Sequence, residues 1–292
     1  MKIKDKLLFL SLMGMLGTNI TGCVNNESTK PSYDKGIISE AKDLDNDDIQ
    51  TVSVREMIPN PEQEDEYTIN IETAKVKMVD PRKETMDIIR TGQIQKVYYA
   101  TKDVNLTIPS YLKDDGIAEE IVLPKLECVE VYDQVDDICL VKVDDYIGYV
   151  SNLDLEELLG TFVVVDISNQ ELKLYHDNKI VLTSPVVTGK PSSPTDQGIF
   201  EIYDIRGPRY LVGPNYKSYV DIMMKYNGNE GLHDAEYHQH EDGFKHGWRD
   251  ISEFGGETYL TNGSHGCVNM PHEEVMTVKE YAEIGTKVLV KQ

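Results

Sequence analysis

Basic residues are scarce in this chain of 292 residues: 29 Lys and Arg stand against 51 Asp and Glu, for a formal net charge of -22. That deficit excludes a bulk affinity for nucleic acid or anionic lipid surfaces. Long apolar runs are lacking as well. The stretch from Leu7 to Leu16 is too short to cross a ~30 Å hydrocarbon core as a finished helix, which takes about 20 residues. Cysteine is limited to four positions, Cys23, Cys128, Cys139 and Cys267, and tryptophan to Trp248 alone. The four cysteines sit in such different settings that a framework of two disulfides is not expected.

Lys2, Lys4 and Lys6, the apolar run and then "ITGC" follow one another in the order of a secretory signal. Small residues before a cysteine resemble a bacterial lipobox, which implies a signal peptide over residues 1–22 and a lipid-bearing Cys23. Residues 23–92 then read as an anchored acidic tether, with runs such as "KDLDNDDIQ" and "PNPEQEDE", followed by a segment left unassigned. Cys128 and Cys139 flank "VEVYDQVDDI", which alternates like a hairpin with an acidic turn. Two small, buried free thiols are expected, with a disulfide between them as the alternative, since register is not readable from sequence.

Short β runs fill residues 93–158, among them "KVYYAT", "VNLTI", "EEIVL", "ECVEVY", "ICLVKV" and "YIGYVS", at a spacing that implies a small barrel or sandwich. Their order resembles a bacterial SH3-type domain; an unrelated small barrel is the alternative. From residue 159 to 292 a second β-rich region includes "TFVVVDIS", "ELKLYHD", "KIVLTSPVVTG", "GIFEIYDI" and "TYLTNG". One helix is expected, in "PHEEVMTVKEYAEIG", with Pro271 in its first turn and Gly285 after it, and "KVLVK" closes the chain as a strand. The fold class is therefore mainly β.

The chemistry concentrates in "SHGCVNMP", residues 264–271. A cysteine attacks carbonyls as thiolate, and a free pKa near 8.5 leaves it mostly protonated at neutral pH, so something must take its proton. Around Cys267 stand the imidazole of His265, the hydroxyl of Ser264 and the flexible Gly266. If the turn aims the amides of Gly266 and Cys267 the same way, they form an oxyanion hole, where one donor is worth about 3 kcal/mol. A structural buried thiol is the alternative for any cysteine. Upstream, "GLHDAEYHQHEDGFKHGWRD" offers His233, His238, His240 and His246.

"VVTGKPSSPTDQGIFEI", "GLHDA", "GWR", "FGG" and "TYLTNGSHGCVNMP" together resemble the YkuD-type L,D-transpeptidases over roughly residues 160–292. The resemblance implies a mixed β-sandwich catalytic domain, with Cys267 as nucleophile preceded by Ser264, His265 and Gly266, and Asn269 two positions beyond it. It implies an upstream histidine as base. Context points to His233 at a strand end, with "EYHQHEDGFKHG" inserted after it; spacing to the serine points to His246 instead. Trp248 and Arg249 are candidates to hold substrate by stacking and by pairing with a carboxylate, or the lone Trp pins the loop to the core. His238, His240 and Asp242 resemble the start of a metallo-hydrolase cluster, but Gly243 stands where a further ligand is needed. Four histidines with interleaved carboxylates can bind zinc, yet solvated loop histidines are the common case, so no metal or other cofactor is assigned. His176 and His272 read as surface residues.

The family resemblance implies peptidoglycan stem peptides as partners and a location facing the wall; the lipobox-like start implies extracytoplasmic attachment to the membrane through the lipid anchor. The activity implied is crosslinking between third-position diamino acids through a cysteinyl thioester. Trimming of tetrapeptide stems as an L,D-carboxypeptidase is one alternative. A non-catalytic wall-binding lipoprotein is the other.

Overall fold

A computed structural model describes residues 37–42, 49–59, 67–77, 80–213, 216–240, 243 and 245–292. The signal segment and Cys23 lie outside the described residues, as does Asp242. The chain divides into two units, Met1–Thr85 and Met86–Gln292. Among the described residues no helix is long and apolar enough to cross a membrane.

In the first unit, Ile37–Lys42, Ile49–Pro59 and Tyr67–Lys77 form a three-stranded antiparallel sheet. The first two of these strands fall in the segment expected as tether. The acidic runs that suggested it fall largely at 43–48 and 60–66, outside the described residues, while "TVSVREMIP" and "YTINIETAKVK" keep the two-residue alternation that a sheet face needs. A helix, Pro81–Thr91, follows where none was expected. Pro81 opens its first turn, Asp80 Oδ1 accepts from Arg82 N at 2.9 Å, and Gly92 stands past its end.

The second unit begins with seven strands between Lys96 and Leu158 in one antiparallel sheet. Val104–Ile108 shows why: its alternate residues are buried, and Val104, Leu106 and Ile108 join Val129, Val131, Val141 and Val150 in a common core. The Cys128–Val135 and Ile138–Val143 strands form the expected hairpin. Its register sets Cys139 opposite Gln134 while Cys128 lies opposite Tyr99, and both thiols are free.

The remainder is a two-layer mixed β fold. One sheet runs Lys179–Pro185, Glu171–His176, Thr161–Asp166, Lys287–Lys291, Gly198–Glu201, with Thr161–Asp166 and Lys287–Lys291 parallel. The other runs Asp204–Arg206, Met223–Asn227, Glu230–Asp234, Val268–Met270, its last two strands again parallel. Val163, Val165, Leu172, Leu174, Val288 and Val290 from the first sheet meet Met224, Leu232, Val268 and Met270 from the second. The helix His272–Tyr281 adds Val275 and Val278 to that core. The segment "TYLTNG", expected as strand, is instead the short helix Thr258–Asn262 ended by Gly263; its β-branched and aromatic residues carry strand propensity that the local turn overrides.

The outer face of the first sheet packs on the preceding module through Phe162, Val164, Tyr175 and Leu289 against Val97, Tyr99 and Leu158. Lys291 is buried at this junction between Glu127, at 2.8 Å, and Asp166, at 2.6 Å.

Candidate active site

The Glu230–Asp234 and Val268–Met270 strands lie side by side in parallel, with Leu232 opposite Val268 and His233 opposite Asn269. Leu232 and Val268 point into the core, so alternation puts His233 and Asn269 on the other face. Cys267, next before Val268, shares that face by the same alternation. Its thiol donates to the carbonyl of Asn229 at 3.6 Å and receives the amide of Gly231.

The turn that presents Cys267 is built from its own motif and from the earlier Thr188-Gly189-Lys190 segment. Ser264 N donates to Thr188 O at 3.0 Å and Lys190 N donates to Ser264 O at 3.1 Å, so the two segments clasp each other. Ser264 Oγ donates to the Cys267 carbonyl and accepts from Gly266 N at 3.1 Å. Of the two amides expected to receive an oxyanion, that of Gly266 is thus engaged, which leaves the Cys267 amide as the remaining donor of the pair. Gly266 has φ +115°, a conformation that L side chains rarely adopt, so glycine is required there; a Cβ would also come within 2.8 Å of Glu230 Oε1 and push that side chain aside. Its carbonyl accepts from the buried Thr195 Oγ1 at 2.9 Å, and that hydroxyl in turn accepts from Gly189 N at 2.8 Å.

His233 is 3% exposed, and burial lowers its pKa, so the imidazole is neutral. Its Nδ1 donates to the Asp234 carbonyl at 2.9 Å, which fixes the tautomer with the lone pair on Nε2. In the amide orientation that satisfies both neighbours, Asn269 donates to that Nε2 at 3.2 Å and accepts from Arg249 Nε at 2.9 Å. Arg249 also donates from Nη2 to Asn262 O at 2.6 Å. It is 2% exposed, so in this state it orients Asn269 and does not present its guanidinium to solvent. Trp248 packs on Val187, Ala235 and Phe254, with its ring 5.8 Å from that of His233.

The thiol of Cys267 is half-buried. Desolvation pushes its pKa up to about 11, the Gly231 amide opposes the rise, and the nearby Glu230 carboxylate adds to it. The resting sulfur is therefore a protonated thiol, and its reactivity depends on a proton acceptor.

His265 stands exposed at the tip of the turn, its Nε2 3.3 Å from Lys190 Nζ and its ring stacked on Tyr216 at 5.2 Å. His246 lies elsewhere: it pairs with His238 across the small ribbon His238–Gln239/Lys245–His246 and sits 4.1 Å from the Tyr219 ring. His176 is exposed, as expected. His272 is not a plain surface residue, because its ring stacks on that of His238 at 3.7 Å; its place at a helix start gave no hint of a loop folded back on it. Thr195, Asn229 and Glu230 were not legible as site residues, since each reaches the turn only through the fold.

Residues 160–290 match the family model for the L,D-transpeptidase catalytic domain, YkuD. No curated protein matches the chain. Among solved structures, the chain is similar to the catalytic domain from an E. faecium L,D-transpeptidase acylated by ertapenem, at 30% identity over 47% of this chain and 100% of that one, TM-score 0.38. The same enzyme's domain without the drug gives 31% identity over 45% and 96%, TM-score 0.38. A longer Enterococcus faecium L,D-transpeptidase, a Cys-to-Ser mutant, gives 22% over 75% and 92%, TM-score 0.41. Residues 160–290 of this chain are thus a catalytic domain of the YkuD, L,D-transpeptidase, type.

Proposed function

We propose that this protein crosslinks peptidoglycan stems through a thioester on Cys267, with His233 as the general base. The observation that carries the reading is the pairing of the two parallel strands. They bring a neutral imidazole, its Nδ1 proton committed and its Nε2 lone pair held by the Asn269 amide, to the same sheet face as the Cys267 turn.

The steps follow from that placement. Substrate displaces the Asn269 amide from Nε2, and the thiol proton passes to His233. The sulfur attacks the carbonyl on the L-centre of a third-position diamino acid, and the Cys267 amide receives the developing oxyanion. The carbon–nitrogen bond to the terminal D-alanine breaks, the imidazolium returns its proton to the leaving amine, and a thioester remains. An amine on the D-centre of a second stem then attacks, gives its proton to His233, and releases the sulfur, which is reprotonated. Arg249 holds Asn269, and Asn269 holds the ring of His233. Lys190 and the exposed His265, whose side chains meet beside the Cys267 turn, suit the carboxylate-bearing stem.

Lipid attachment at Cys23, a wall-binding SH3-like role for residues 93–158, and an extracytoplasmic location belong to the same proposal. The order of charged, apolar and "ITGC" residues supports the first. A self-contained seven-strand core supports the second.

The test is incubation of purified enzyme with disaccharide tetrapeptide, with products read by mass spectrometry. A crosslinked dimer with loss of one D-alanine is expected. Tripeptide alone would instead assign carboxypeptidase action, and no turnover would leave a wall-binding role.

A further inference from the structure

The segment between Ala235 and Trp248 leaves and re-enters the fold at one point. Trp248 N and Arg249 N both donate to Ala235 O at 2.9 Å, and Gly247, at φ +83°, lies so close to Glu236 O that a Cβ would come within 1.9 Å of it. The closed loop is laid back against three other elements, and side chains from all of them converge. Asp221 comes from the start of the turn after Tyr216–Val220, Asp234 from the end of the His233 strand, His238 from the loop and His272 from the first residue of the last long helix. One donor atom from each lies within 4.8 Å of all the others.

The contacts within this cluster do not satisfy it. Asp234 is 0% exposed; its Oδ1 accepts from Asp221 N and Ile222 N at 2.8 and 3.0 Å, while its Oδ2 has no partner. Asp221 Oδ1 and His272 Nδ1 are likewise buried without a well-aligned hydrogen bond. Buried orphans of this kind call for a missing ion or water. A proton on His238 would account for its 2.6 Å contact with Asp221 Oδ2. It would leave Asp234 Oδ2 without a partner and His272 Nδ1 with no hydrogen bond, only a 3.6 Å approach to Asp221 Oδ2. A single cation reaches all four donors.

We propose that Asp221, Asp234, His238 and His272 form a structural zinc(II) site that clamps the loop. Two carboxylates and two neutral imidazoles neutralise the ion, and the mixed nitrogen and oxygen set suits zinc rather than calcium or magnesium, which take oxygen alone. Four protein ligands leave no open position, which marks a structural site. Bonds of about 2.0–2.2 Å would draw the donors to roughly 3.5 Å apart, a contraction the loop can follow. Outer partners are already in place: His238 Nδ1 donates to Glu236 O at 2.9 Å, leaving Nε2 as the ligand, and His240 Nε2 lies 3.2 Å from Asp221 Oδ1. The clamp sits one peptide from His233, whose ring is held by the Asp234 carbonyl.

The test is zinc titration of the full chain after EDTA stripping, followed by calorimetry and by metal analysis of the desalted protein. One zinc per chain is expected, tighter than about 1 µM, with a rise in Tm. His238→Gln and His272→Gln should weaken binding by more than about 100-fold, beyond the loss typical of an outer-shell partner. Asp234→Asn, which keeps the Oδ1 acceptor, should do the same, and Cys267→Ala should bind as wild type does. If Asp234→Asn fails to fold, His272→Gln, at a half-exposed helix start, decides the matter. The proposal is overturned by wild-type protein that binds no stoichiometric zinc, by folded variants that bind it undiminished, or by magnesium or calcium binding as tightly.

Discussion

A thiol held up to about 11 is protonated at neutral pH, and this fixes what Cys267 needs from its neighbours. Alkylation by iodoacetamide should therefore be slow in the folded protein at pH 7 to 8 and climb toward pH 11. The urea-unfolded chain should titrate near about 8.5. A folded-state midpoint at or below 8.5 would mean that the thiolate is stabilised at rest. His233→Gln should slow acylation by about 10² to 10⁴-fold, whereas His246→Gln should change it by less than about tenfold; stopped-flow acylation rates distinguish the two candidate bases. Gly266→Ala forces a Cβ onto Glu230 Oε1 at positive φ and should cost about 1–3 kcal/mol, visible as a lower Tm together with lost acylation. At this scale the sequence was informative because the Ser264–Asn269 motif is contiguous. It was silent on Thr195, from the loop before Gly198–Glu201, and on Glu230, at the start of the His233 strand, which come to the Gly266 turn only through the fold.

Strands and turns set where those residues stand. The register of His233 with Asn269 is a property of two parallel strands far apart in sequence, and no local pattern encodes it. Local signals served well where one face is buried: Val104–Ile108 alternates as predicted, and the acidic Asp136-Asp137 turn closes the hairpin of Cys128–Val135 and Ile138–Val143. They failed at Thr258–Asn262, where strand-prone residues form one helical turn, and at Pro81–Thr91, where the Asp-Pro start and Gly92 were present in the sequence but outweighed by the polar composition around them. The loop after Ala235 has a test of its own. Gly247→Ala would drive a Cβ into Glu236 O, open the base of the loop, and loosen the ribbon that holds the backbone of the exposed Lys245, making it a better trypsin site. Digestion at Lys245 should accelerate at least about tenfold, as expected when local opening costs over 1.4 kcal/mol less.

In the second unit the seven-strand module and the catalytic sandwich share an apolar junction, and the ion triad of Lys291, Glu127 and Asp166 is buried within it. Attraction to both carboxylates outweighs burial and raises the Lys291 pKa, so it is charged throughout the neutral range. Lys291→Met would leave two buried carboxylates facing each other and should cost about 3–5 kcal/mol. Thermal unfolding should show a marked loss that Glu127→Gln, added to it, partly restores. The short strands between Lys96 and Leu158 were legible as β runs in the sequence. The contact between that module and the sandwich was not, because it depends on the outward faces of strands whose sequence alone reads as ordinary buried β.

The central claim is that Cys267 accepts an acyl group with help from the fold around it. Intact-mass spectrometry of the protein incubated with ertapenem, followed by peptide mapping, tests it most directly. One drug-sized adduct on the peptide bearing Cys267, absent from Cys267→Ala, is the predicted result; an unmodified wild type, or an equal adduct on the variant, would contradict it.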